Sequence, residues 1–290
     1  MFRMTAHSQP LIRAVVLAAF TIALSPASRA EAASLESTKC NFTNANIPAR
    51  CFWLTVPENR TNPSAKTVKL FVAVLKSASS NPKPDPIVYL LVGPGQSASP
   101  AVDVFARFPT LADRDFILMD PRGTGRSQAN LACPEITKAR TSFFTAKSRP
   151  RPFQEPLSQF QSASRQCGDC LRAAKIDLGA YSTIALANDV ADLRKALSIS
   201  QWNVFGVSYG TRVALEVMRS HPQGVRSVIL DSVDPPNVQD IKPSQSIADV
   251  KQALNNLLVS CRATSSCNQR FPNLAQQFTT MVDRYNRQPY

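Results

Sequence analysis

The stretch Trp202–Pro222, WNVFGVSYGTRVALEVMRSHP, decides the fold. Its first part, WNVFGV, is short, apolar and rich in β-branched and aromatic residues, as a buried strand is. Val213, Ala214 and Val217 then recur at helical spacing, so Tyr209–Ser220 reads as an amphipathic helix. Between the two lies Gly206-Val-Ser-Tyr-Gly210, a G-x-S-x-G sequence in which a serine occupies a sharp strand-to-helix turn. Small residues two before and two after are required there, because the strained backbone brings neighbouring chain within contact of any Cβ. Ser208 is therefore a candidate nucleophile. The N–H of Tyr209, at the start of the helix, is a natural donor to an oxyanion.

Outward from this stretch the chain keeps a strand, helix, strand rhythm. CFWLTVPEN and KTVKLFVAVL flank the turn residues RTNPSA and read as a hairpin. IVYLLVGPG is an apolar run with the length of a buried parallel strand, followed by a helical stretch near Val102–Leu111 and a second buried run, RDFILMDPRG. Leu186, Val190, Leu193 and Leu197 recur every three or four residues, which predicts a helix over 183–199. VRSVILDSV is the next strand, and the prolines at 235 and 236 close the block. From Ile247 onward the pattern changes to helices carrying Gln, Asn and Ser. The expectation is an α/β fold: an open, mostly parallel sheet with helices on both faces, a core over 31–240, and the start of a helical lid over 241–290.

An oxyanion hole needs a second N–H, expected from the loop after an earlier strand, and Val92-Gly93-Pro94-Gly95-Gln96-Ser97-Ala98 stands there. Asp120-Pro-Arg-Gly-Thr-Gly-Arg-Ser127 also ends a strand. Its Gly-x-Gly lacks the third glycine of a nucleotide loop, and no P-loop lysine follows. The loop reads as structural, with Asp120 paired to Arg122 or Arg126.

Residues 1–30 combine Arg3 and Arg13, the run LIRAVVLAAFTIAL and small residues at cleavage-compatible spacing, the pattern of a secretory signal peptide. The uninterrupted apolar core from Ala14 to Leu24 is too short to span a bilayer, so no stable membrane anchor is expected. The chain is basic, at +13, and loses three arginines and no acid with the leader. Part of that charge lies in TKARTSFFTAKSRPRP, Thr137–Pro152, read as a solvated loop because its aromatics are not interleaved as a nucleic-acid stacking platform. Seven cysteines in an exported chain point to disulfides. Cys40 with Cys51 and Cys261 with Cys267 are close in sequence, and Cys133 with Cys167 can close a longer loop, leaving Cys170 over. No second CxxC or nearby histidine completes a zinc site around Cys167-Gly-Asp-Cys170, so neither metal nor cofactor is expected. Asn41-Phe-Thr43 matches a glycosylation sequon.

GPGQSA, DPRGTGRS, ANDVADLRKAL, the Ser208 stretch and VRSVILDSVDPP come in an order and spacing that resemble the exported tripeptidyl-aminopeptidase and proline-iminopeptidase group of α/β-hydrolases, over roughly residues 45–290. The resemblance implies that Ser208 is the nucleophile and that the N–H groups of Gly93 and Tyr209 form the oxyanion hole. It implies a peptide substrate, with a small ester as the alternative, and a secreted or periplasmic location. The group's spacing also favours the pairing of Cys133 with Cys167. Val92 and Pro121 depart from the pattern, which usually has Gly and Gln there.

The base is missing from this reading. The chain holds two histidines, His7 in the leader and His221. His221 lies thirteen residues beyond Ser208, at the far end of the same helix, about 20 Å away at about 1.5 Å per residue. A base must stand about 3 Å from the proton it takes. The one S-x-x-K, Ser80-Asn-Pro-Lys83, sits in a proline-rich loop without helical spacing. Asp231, ending the next strand, is a possible acid, although the resembled group carries its acid and base further along the chain. The expectation is an N-terminal portion of a hydrolase, completed by further chain or by a second polypeptide, or else a noncatalytic relative.

Overall fold

The computed structural model describes residues 33–42, 48–62, 66–90, 93–106, 112–145, 154–237 and 243–288. The leader, His7, Val92 and Thr43 of the sequon lie outside them. Seven strands form one mixed sheet: β1 (Ser34–Thr38), β2 (Ala49–Pro57), β3 (Thr67–Leu75), β4 (Ile87–Leu90), β5 (Phe116–Met119), β6 (Trp202–Val207) and β7 (Val225–Asp231), in the order β1-β2-β3-β5-β4-β6-β7. The expected hairpin is β2–β3, in register from Ala49 opposite Leu75 to Pro57 opposite Thr67. β4 pairs in parallel with β5 and β6, and β6 with β7, whereas β1, β2 and β3 run antiparallel up to β5. All four residues of β5 are buried, as expected of a parallel strand covered on both faces.

Two apolar layers hold the sheet. On one face Val72, Val88, Ile117 and Val204 pack under α4 (Thr183–Ala196) and α5 (Tyr209–Ser220), which contribute Leu186, Val190, Leu193, Val213 and Val217. On the other face Phe71, Tyr89 and Phe116 meet Phe105 of the short helix α1 (Val102–Phe105), with Phe105 and Phe116 stacked at 4.6 Å between centroids. The helix expected over 183–199 begins where Ser182 caps it, its Oγ accepting the Ala185 N–H at 3.2 Å.

The disulfides are Cys40–Cys51, Cys133–Cys167 and Cys261–Cys267, with Cα separations of 5.1, 5.6 and 5.1 Å, and Cys170 is an exposed free thiol. The basic run is corrected in one respect. Its first part is not loop but helix α2 (Pro134–Thr145), which packs on α3 (Gln154–Ala173). Pro134 and Glu135 suit a first helical turn, and the Cys133–Cys167 bond ties the start of α2 to α3. Lys138 and Arg140 remain solvated on its surface. β1 is likewise unforeseen; it borrows its order from β2, with Ser34 opposite Thr55.

Beyond β7 the chain forms α6 (Pro243–Ala263), α7 (Ser265–Arg270) and α8 (Leu274–Arg287), with α6 packed on the other two. Ile247, Val250 and Leu257 of α6 stay exposed, as does Ile229 of β7. Among the described residues no helix is long and apolar enough to cross a membrane, and no strand pairs with the outer edge of β7.

Candidate active site

β4 leads on to β5 on one side of the sheet, while β6, with β7 beyond it, lies on the other. The crevice between the carboxyl ends of β4 and β6 is thus the topological switch point, where open α/β sheets bind ligands. Leu90 stands opposite Gly206, so the loop after β4 and the turn after β6 leave the sheet side by side. Ser208 fills that second turn.

Its backbone has φ 53° and ψ −121°, a conformation that side chains rarely adopt and that costs about 1–3 kcal/mol. The surrounding structure enforces it. A Cβ on Gly206 would stand 2.6 Å from the Gly210 carbonyl oxygen, so only glycine lets β6 pass the first turn of α5. The Ser208 N–H donates to the Asp231 carbonyl at 2.9 Å, and its carbonyl accepts from the N–H (2.9 Å) and hydroxyl (2.6 Å) of fully buried Thr211. The Thr211 hydroxyl oxygen also accepts the Asp234 N–H at 2.8 Å. The strained turn is therefore bolted to the end of β7. Thr211 and Asp234 were not singled out from sequence; the signal was a threonine in the first helical turn, where a hydroxyl can bond the carbonyl three residues back.

The structure brings Gly93 and Tyr209 together on the wall of one cavity of about 400 Å³. Gly93 adopts φ 64°, which favours glycine, and the Tyr209 N–H opens α5, where no intrahelical partner exists. The Tyr209 hydroxyl is 3.0 Å from Thr183 Oγ1, at the start of α4. Ser208 immediately precedes Tyr209 but does not itself line the cavity.

Asp120 does not pair with the Arg122 or Arg126 side chain. Buried at the end of β5, its carboxylate accepts the Ser99 N–H (2.7 Å), the Ser99 hydroxyl and the Arg126 N–H (2.9 Å). It thus joins the chain after the Gly93 loop to the loop after β5. The tightness of that junction explains Gly125, whose Cβ would collide with Asp120 Oδ2 and Ser97 Cβ at 2.4 Å. The Arg126 guanidinium instead lies 3.9 Å over the Phe71 ring. Arg122 is buried and fully committed. Nε and Nη2 fork onto Asp189 at 2.7 Å each, while Nη1 donates to the carbonyls of Glu58 and Ala180. Arg60 donates to the same Asp189 and to Asp192, so that one completely buried carboxylate faces two guanidiniums. The donors of Arg122 are thus spent within the protein. Alongside, the Tyr181 hydroxyl donates to Glu58 at 2.7 Å, and burial, reinforced by that carboxylate, pushes the phenol well above its ordinary range.

His221, the one histidine among the described residues, ends α5, and its Nε2 lies 2.9 Å from Asn188 Oδ1 on α4. It is not beside Ser208. Burial lowers its pKa below 6.5, and Lys195, Arg60 and Arg194 lower it further against the pull of Asp192. Above about 6.5 the imidazole is neutral in both folded and unfolded chains. As pH falls through that value the unfolded chain takes the proton first, so stability is lost toward the lower folded value. Thermal unfolding between about pH 7 and 5 should therefore fall less steeply in His221→Gln than in the parent; an unchanged slope would contradict this.

Asp231 is close enough to Tyr89 to raise its pKa, after burial, but its carboxylate accepts from Ser232 Oγ at 2.9 Å, and no histidine of the described residues faces it. Among the described residues one trio of possible metal ligands converges, Cys133, Glu135 and Cys167, and its two sulfurs are bonded to each other.

A family model described as alpha/beta hydrolase fold matches residues 86–269. The chain is 27% identical over 243 residues to the serine protease Hip1 of Mycobacterium tuberculosis, covering 80% of this chain and 46% of that protein. It is 28% identical over 230 residues to the tripeptidyl aminopeptidase of Streptomyces lividans, covering 73% and 40%. It is 27% identical over 153 residues to a probable proline iminopeptidase of Streptomyces coelicolor, covering 53% and 34%. The chain spans less than half the length of these relatives.

Proposed function

The chain belongs to the alpha/beta hydrolase fold family, and from that premise we propose that it carries the nucleophile and oxyanion hole of a secreted serine hydrolase of the aminopeptidase type. Ser208 Oγ attacks the substrate carbonyl carbon and passes its proton to a base. The tetrahedral oxyanion rests on the N–H groups of Tyr209 and Gly93. The leaving amine then takes the proton, and water hydrolyses the acyl-enzyme. The observation that carries the proposal is the strained, braced backbone of Ser208 at the switch point, beside a cavity shared by Gly93 and Tyr209. In this reading the base and acid come from a further polypeptide segment that pairs with the open edge of β7, and α6–α8 belong to a lid. The leader-like residues 1–30 and the three disulfides support secretion. Similarity to peptidases favours amides over esters.

Added imidazole tests this reading directly, because it supplies the absent base from solution. Release of nitroaniline from aminoacyl and tripeptidyl anilides should acquire a component that saturates with substrate, requires imidazole and disappears in Ser208→Ala. A positioned base contributes about 10²–10⁴-fold, and free imidazole should recover part of that. Rescue confined to acetyl and butyryl esters would make the protein an esterase. Identical rates for the parent and Ser208→Ala at every imidazole concentration would favour a noncatalytic protein on the same scaffold, the reading that His221, held on Asn188, otherwise favours.

A further inference from the structure

We infer that the cavity beside the Ser208 turn receives an uncharged, apolar side chain of the substrate. The inference rests on the reading of Ser208 as nucleophile and adds a substrate class to it. Position is the first argument. Gly93 and Tyr209, the two proposed oxyanion donors, are in its wall, so a group held there adjoins the carbonyl that Ser208 would attack.

The chemistry of the wall is the second. Its floor is aliphatic: Leu90, Met119, Leu186, Val190 and Val213. Arg122 is the one formally charged side chain among the described residues that line it, and its donors are spent on Asp189 and on backbone carbonyls. Most of the hydroxyls, though not that of Tyr89, are engaged as well. Tyr181 donates to Glu58, Tyr209 bonds Thr183, Thr124 donates to the Pro121 carbonyl at 2.8 Å, and Ser182 caps α4. A lysine, arginine, aspartate or glutamate side chain would lose its water here and find no counter-ion among these groups. An aliphatic or aromatic side chain loses nothing, and about 400 Å³ lies in the range of small-ligand pockets.

Saturation-transfer NMR with three probes, N-acetyl-L-leucinamide, N-acetyl-L-lysinamide and N-acetylglycinamide, tests the inference on the 290-residue protein, since the method reads the ligand and tolerates self-association. Saturation should reach the leucine methyl groups, with lysinamide and glycinamide about 10-fold or more weaker. Val213→Trp fills the cavity from its floor, and Ala132→Trp plugs it from an exposed loop position without disturbing the core. Both should suppress the leucinamide signal while far-UV circular dichroism stays that of the parent. Ser208→Ala should leave binding intact, which separates this test from imidazole rescue: leucinamide binding by a parent protein that imidazole does not rescue refutes the nucleophile alone. Equal saturation of lysinamide, or a leucinamide signal indifferent to the folded plug variant, would overturn the inference.

Discussion

Steady-state hydrolysis of aminoacyl anilides, tripeptidyl anilides and short esters by the 290-residue polypeptide alone is expected about 10⁶-fold below the rate of a complete serine triad. The cause is geometric. Ser208 begins α5 and His221 ends it, about 20 Å apart along the axis, and His221 is held on Asn188. Without a neighbouring base the hydroxyl keeps its proton, whatever the backbone does to present it. Oxyanion stabilisation survives loss of the base, so a residual rate above water is compatible with this expectation. The measurement is kcat with and without Ser208→Ala. Robust turnover abolished by that substitution would reveal a base within these residues and overturn the argument.

The same polypeptide should self-associate as its concentration rises. β7 is the last strand of the sheet among the described residues, so one row of its N–H and C=O groups faces outward, a template for pairing with another chain. Its side chains are poorly covered too: Ile229 is 56% exposed, in a strand whose neighbour β6 buries Trp202 and Val204 at 1% each. A fully buried isoleucine contributes about 1.5–3 kcal/mol, and much of that is forfeited here. On α6, Val250 and Leu257 are 67% and 62% exposed and add to the tendency. Size-exclusion chromatography with light scattering should show mass growing with loading, and Ile229→Lys should shift the distribution toward monomer, because a charge on an edge strand blocks pairing. A monomer at all concentrations, with one sharp unfolding transition and no response to Ile229→Lys, would contradict this.

What could be read from sequence was what local pattern controls. The WNVFGV strand, the Tyr209–Ser220 helix and the serine between them follow from periodicity and from two glycines four residues apart, and the structure places them as expected. The partners of Asp120 and Arg122 were not legible. Asp189 is 67 residues from Arg122, and Ser99 is 21 from Asp120, so tertiary folding alone chooses between equally charged candidates. The α2 helix escaped for a different reason. Its polar, basic sequence shows little apolar stripe, and its anchorage depends on a disulfide to α3, a constraint outside its own sequence. The base could not be located by any pattern, since the single described histidine serves the end of α5.

The hydrogen bonds from Ser208 to Asp231 and from Asp234 to Thr211 make the end of β7 a part of the support of the Ser208 turn. Local unfolding then becomes a shared equilibrium: when the last residues of β7 detach, the left-handed turn at Ser208 loses the contacts that hold it against relaxation. Amide exchange at Ser208 and Asp234 should accordingly follow a common opening rather than two independent ones. A strand docked on β7, as proposed above, would suppress that opening, and by thermodynamic reciprocity a ligand that holds the turn in place would tighten the docking by the same factor.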